Sequence, residues 1–195
     1  MRIISGHARG TQLATFDGKD IRPTSDRVRG AIFSILTSQL GSFNQLRILD
    51  IFAGTGAMGL EALSRCAAEA IFIDQGQQAN KLIQTNYRRC HCDSNYHIIK
   101  QSAQKALPRL QGQCFDVIFI DPPYGKNLLP EIIQLIGQYQ LLAPAGIICA
   151  EEQKKTLLPQ QIAHYNQIDR RRYGATEILL YKNTGTETLP QPDKD

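Results

Sequence analysis

Residues 46–59 read LRILDIFAGTGAMG: an apolar run that breaks into three glycines at GxGxxG spacing. The spacing predicts a strand over 46–52, a tight glycine turn, and a helix over 58–65. A strand that enters a helix through a glycine loop is the first unit of a parallel, doubly wound sheet. Further strand–helix pairs should therefore follow. EAIFID (69–74), YHIIK (96–100), FDVIFID (115–121) and AGIICAE (145–151) read as strands. Helices are expected over 77–89, 103–110 and 128–139. FDVIFID is apolar almost throughout, as a strand covered on both faces must be.

The ends depart from this alternation. QIDRRRY and TEILLYK flank Gly174-Ala175 and read as two strands joined by a tight turn, so the sheet should close in an antiparallel hairpin. The fold class is thus a Rossmann-like α/β sheet, mostly parallel, with a C-terminal antiparallel hairpin and a small N-terminal β-hairpin and helix extension. RIISG and TQLATF are short β-like pieces. RPTSDRVRGAIFSIL starts a helix with Ser25 or Thr24 as N-cap and Val28, Ile32, Ile35 and Leu36 on one face. Residues 1–23 are expected to form the extension, 24–182 the α/β domain, and 183–195, polar with two prolines, a disordered tail.

Composition narrows the class. A chain of 195 residues, 42% hydrophobic, buries one core without covalent staples. Its net charge of +4 suits an anionic partner. Within the first 30 residues six bases (Arg2, Arg9, Lys19, Arg22, Arg27, Arg29) face three acids (Asp17, Asp20, Asp26), so the arm reads equally as a solvated hairpin or as a grip on nucleic acid. Five scattered cysteines argue against a disulfide framework and for reduced thiols in the cytoplasm. Cys90-His91-Cys92 lacks the spacing of a metal site and has no second ligand pair; it reads as a helix end running into a loop, with no metal. No apolar run near the start is long enough for a signal peptide or membrane span, and nothing demands more than a monomer.

The glycine loop fits two ligand classes. A dinucleotide would lay a pyrophosphate on it, and Asp50, just before the glycines, would repel that charge. S-adenosyl-L-methionine carries an ammonium and a sulfonium, which Asp50 attracts. Asp74 closes the second strand 18 residues after Gly56, where an acid accepts hydrogen bonds from ribose hydroxyls in either ligand. Gln101, Ser102 and Ala103 end the third strand and are placed to edge an adenine. Phe52, Ala53, Gly54, Thr55, Gly56, Gln75 and Asp121 complete the expected cofactor contacts.

The fourth strand ends in DPPYG (121–125). Pro122 and Pro123 fix φ and remove two N–H donors. The Asp121 carboxylate and a nearby carbonyl then accept the two hydrogens of an aromatic amine, while Tyr124 stacks on the base. Stacking is worth about 1–3 kcal/mol per base. This set positions an amine for in-line methyl transfer, with Asp121 as proton acceptor.

Taken together, DIFAGTGAMGLEALSR and DVIFIDPPYG resemble the class I S-adenosylmethionine-dependent amino-methyltransferases. MRIISGHARG and RPTSDRVRGAIFSIL narrow the resemblance to the RsmD family, which methylates N2 of a guanine in bacterial 16S ribosomal RNA. The likeness runs from Met1 to about Lys182. It implies that Asp50, Gly54, Gly56 and Asp74 hold S-adenosylmethionine, that Asp121, Pro122, Pro123 and Tyr124 grip the guanine, and that Arg2, His7, Arg9, Arg22, Arg27 and Arg29 touch RNA phosphates, within an assembling 30S subunit. The target base would be flipped out of its stack. The chain departs from the family pattern at Gly30 and Gly76, where acids are common. The rival readings are an amino-methyltransferase acting on DNA adenine or another RNA, a NAD-linked oxidoreductase using GTGAMG, and an inactive RNA-binding module.

Overall fold

The quoted strand spans Arg47–Ile51 (β1) and is an interior strand, third from one edge, of the sheet that eight strands form among the described residues. The computed structural model describes residues 1–16, 25–93, 95–123, 125–153 and 158–183. Lys19, Arg22, Thr24, Tyr124 and residues 184–195, all of which carried expectations, lie outside the described residues.

In chain order the elements are α1 (Asp26–Leu40), β1, α2 (Ala57–Ser64), β2 (Glu69–Ile73), α3 (Gln77–Arg89), β3 (Asn95–Ile99), α4 (Ala103–Ala106), a 3-10 turn (Leu107–Leu110), β4 (Phe115–Ile120), α5 (Leu129–Gln138), β5 (Leu142–Gln153), β6 (Gln161–Ile162), β7 (Tyr165–Tyr173) and β8 (Thr176–Asn183). The strand order is β3-β2-β1-β4-β5-β8-β7-β6. β1 to β5 pair in parallel, and β8 and β7 join antiparallel. The order reverses between β1 and β4, the place where open α/β sheets bind ligands beyond the carboxyl ends of their strands.

Two cores explain the uninterrupted apolar strands. Ile48, Val117, Phe119, Ile147 and Ile178 pack with α1, α2 and α3 on one face. Leu49, Ile51, Ile118, Ile120 and Ile148 pack with α4, the 3-10 turn and α5 on the other. Successive residues point to opposite faces, so both parities must be apolar. The expected strand 115–121 therefore stops at Ile120, the last position covered on both sides.

α1 begins at its expected cap: Ser25 Oγ accepts the N–H of Val28 at 3.3 Å. Its inward stripe is Arg29, Ile32, Phe33 and Leu36, with Val28 and Ile35 only partly covered. This corrects one expectation. Arg29 is 1% exposed, donates to the carbonyl of Arg2, and lies 3.1 Å from Asp26 Oδ1. Loss of water pulls its pKa down from the ordinary arginine value against the opposing charges of Asp26 and Glu61. Helical periodicity places residue 29 in line with 32, 33 and 36, so Arg29 holds the N-terminal segment to α1 and leaves almost none of its surface to solvent.

The N-terminal segment closes into a minimal hairpin through a bridge between Arg2 and Gln12. It docks on buried polar side chains. Glu61 of α2, fully buried, accepts the N–H groups of Ile4 (2.7 Å) and Ser5 (3.0 Å) and the Arg65 guanidinium. Ser64 accepts from Ala8 N and donates to the Ser5 carbonyl. A buried carboxylate is tolerated because every one of these donors offsets its lost hydration. Cys90 forms the C-cap of α3, as a helix end running into a loop. Among the described residues no helix is long and apolar enough to cross a membrane.

Candidate active site

The glycine loop turns on Gly56, the N-cap of α2, whose φ of 77° and ψ of 14° lie in the left-handed region. Gly59, one turn into α2, is required by packing instead. A Cβ there would fall 2.7 Å from Cζ of Phe72, a ring that is fully buried in β2. The close approach of α2 to the sheet lets Asp50 Oδ2 accept the Gly59 N–H at 2.9 Å.

Asp50 is 3% exposed. Burial, and secondarily the charge of Asp74, push its carboxyl up to about 7, while the Gly59 hydrogen bond pulls the other way. Burial thus favours the protonated form of the acid expected to greet a cation. Asp74 lies just past β2 and orders the loops: Oδ2 accepts the Gly54 N–H at 2.9 Å and Oδ1 the Gly76 N–H at 2.7 Å. Gly76 stands where the resemblance led us to expect an acid; a Cβ there would lie 3.1 Å from Asp74 Oδ1, so the carboxylate would have to give by a few tenths of an ångström.

Asp121 follows β4 on the same sheet edge, its N–H bonded to the Ile51 carbonyl. The registers Ile51↔Ile120 and Ile120↔Ala150 set Asp121 between the end of β1 and Glu151 of β5. Asp50, Asp121 and Glu151 line one small cavity of about 20 Å³ with Ile32, Met58, Cys149 and Ile178. Loss of surrounding water, then the charges of Glu151, Asp50 and Glu152, push the Asp121 carboxyl well above the usual range. By area Asp121 is exposed. Solvent entering the cleft therefore screens part of the first cause, and the neighbouring acids are the firmer one. Glu151 was missed in the sequence. It ends AGIICAE just as Asp121 ends FDVIFID, and the rule that ligands gather at strand carboxyl ends would have found it.

The remaining expected contacts divide. Pro122 is buried and Pro123 exposed. Phe52 has a φ of 62° and packs against the α5 side of the core. Gln75 is exposed beside Asp74. Ser102 is the N-cap of α4, and its hydroxyl makes no capping bond. Ala53 and Ala103 point into the core, so they offer a ligand only backbone. Thr55 is nearly buried, its Oγ1 3.6 Å from Met1 Sδ. The Gln101 side-chain oxygen is buried without a hydrogen-bond partner among the described residues, an acceptor suited to an adenine amine. On the arm, Arg2, Arg9 and Arg27 are exposed and border a groove of about 350 Å³ with Asp26. His7 is exposed, and its N–H bonds the Ser64 carbonyl.

The family model described as "Conserved hypothetical protein 95" matches residues 1–182. "Ribosomal RNA small subunit methyltransferase D" of Haemophilus influenzae is 33% identical over 186 residues, which cover 94% of this chain and 94% of that protein. The Escherichia coli K12 protein of the same name is 32% identical over 182 residues, covering 93% of this chain and 89% of that one. The chain belongs to the RsmD family. A solved structure of a hypothetical protein from Thermus thermophilus superposes on this RsmD-family chain with a TM-score of 0.79, at 30% identity, over 93% of this chain and 99% of that one. The RsmD match includes the N-terminal arm as well as the sheet, in keeping with the buried side chains that dock the one on the other.

Proposed function

We propose that this RsmD-family chain transfers a methyl group from S-adenosyl-L-methionine to the exocyclic N2 of a guanine in 16S ribosomal RNA. It acts as a cytoplasmic monomer on an assembling small subunit. The observation that carries this reading is the convergence of Asp50, Asp121 and Glu151 at the ends of three adjacent parallel strands. A cluster of acids beside a glycine loop repels a pyrophosphate and favours a ligand bearing positive charge. That supports the methyl donor over a dinucleotide.

The residues present fit such a donor. Gly54 to Gly56 let the backbone come close, Asp74 keeps lone pairs for ribose hydroxyls, Gln101 supplies an unsatisfied buried acceptor, and Asp50 faces a cation. When bound, the donor supplies an electrophilic methyl carbon. Asp121 accepts a hydrogen bond from the guanine amine and orients the nitrogen lone pair. Methyl transfer from a bound donor would leave the amine nitrogen positively charged. A carboxylate already flanked by acids is a stronger base than an ordinary one, so Asp121 takes the surplus proton. Arg2, Arg9 and Arg27 hold the RNA backbone.

The test is tritium transfer from labelled cofactor to 30S particles from cells lacking the enzyme, followed by nucleoside analysis. Label is expected in N2-methylguanosine. Label in methyladenosine, or none, would reject the guanine assignment.

A further inference from the structure

Asn86 lies on the buried stripe of α3 with Ala79 and Ile83, and is fully buried. Its Oδ1 accepts the Ala14 N–H at 2.6 Å, and its Nδ2 donates to the Ala14 carbonyl (3.0 Å) and to the Thr55 carbonyl (2.9 Å). One amide thus joins the N-terminal arm to the glycine loop. Met1 Sδ touches Thr55 of the same loop. Two residues beyond Ala14, the ring of Phe16 stands over Gly54: a Cβ on Gly54 would lie 3.8 Å from Phe16 Cε2, ordinary van der Waals contact. Gly54 is also the residue whose N–H is held by Asp74. Phe16 is only half-buried, so part of an aromatic side chain faces outward beside the loop.

Building on the methyl-donor reading above, we propose that Phe16 is a cofactor-contacting residue whose ring forms the outer wall of the donor site over Gly54, with Asn86 as the positioning residue that holds it there. The wall is apolar. It excludes water from the loop side of the donor and becomes more buried when the donor binds. The arm that carries Arg2 and Arg9 is then also a wall of the cofactor site. Occupation of either site stabilises the same docked arm, and linkage requires the two effects to be equal.

Calorimetry with S-adenosylhomocysteine on the full chain tests this. Phe16→Ala is expected to bind about tenfold more weakly than wild type, and Phe16→Leu, which keeps an apolar cover, within about threefold. The unfolding temperature of both without ligand should stay within about 3 °C of wild type. Asn86→Ala should bind weakly too and lose the slowing by S-adenosylhomocysteine of trypsin cleavage after Arg9. If that variant does not fold, the two Phe16 variants decide. Phe16→Ala binding within about twofold of wild type overturns the inference alone. A wild-type chain that binds no S-adenosylhomocysteine overturns the methyl-donor reading, and this inference with it.

Discussion

Replacing Asp121 by alanine removes the acceptor for the target amine and leaves the glycine loop, Asp74 and Asn86 in place. Methyl transfer is expected to fall at least about 100-fold, with S-adenosylhomocysteine affinity within a few-fold of wild type, as read by single-turnover labelling beside calorimetry. Transfer surviving within a few-fold would remove Asp121 from its role. Asp50 makes a prediction about pH. Its carboxyl rises from an ordinary 3.8 to about 7 because it is buried and faces Asp74. The folded chain therefore binds the proton more tightly than the unfolded chain. This contribution to stability is complete below about pH 4 and lost as pH rises through about 7. Ligand-free wild type should lose more thermal stability between about pH 5 and about pH 8 than Asp50→Asn does. A cationic ligand reverses the preference by stabilising the carboxylate. Affinity for S-adenosyl-L-methionine should rise over the same interval, with proton release visible as a dependence of binding heat on the buffer.

At the scale of elements, α2 is the piece on which most depends. Its start forms the glycine loop, Gly59 meets Phe72 and Asp50, and Glu61 and Ser64 hold the arm. Gly59→Ala must push α2 off the sheet, since the obstacle is a buried ring. It is expected to destabilise by about 1–3 kcal/mol in denaturant titration, the usual cost of overpacking, and to weaken cofactor binding by moving Gly56. The position looked like the third glycine of a motif, yet its need comes from one aromatic neighbour on β2. β7 offers a second instance. Its register jumps between Gln167 and Asp169, which leaves Ile168 outside the ladder and 44% exposed. QIDRRRY read as a strand, but a bulge depends on the partner strand and leaves no mark in composition.

At the scale of the whole molecule, the arm and the start of α1 form one surface. The exposed guanidinium groups of Arg9 and Arg27 border the same groove although 18 residues separate them in the chain. Changing both to alanine should weaken RNA binding and lower the magnitude of its salt slope by about 1.5, near the value for two phosphate contacts. Arg29→Ala should leave the slope unchanged and lower the unfolding temperature, because it strips Asp26 and the Arg2 carbonyl of a buried partner. Salt titrations of the two variants side by side separate the roles. An unchanged slope in the Arg9 and Arg27 variant would return the arm to a purely structural part.

Much of this architecture was legible in one dimension because it depends on local rules. Strand and helix periods, the glycine turn at 54–56, the Ser25 cap and the acids at 50, 74 and 121 follow from spacing along the chain, and α3 appears with its expected bounds of Gln77–Arg89. What only tertiary structure decided is which polar groups lost their water. Arg29 turned inward, Glu61 and Asn86 became docking points for the arm, burial raised the pKa of Asp50, and partial loss of water beside other acids raised that of Asp121. Hydration and Coulomb energy depend on distances through space between residues far apart in the chain, and no periodicity encodes those distances until the strands are laid side by side.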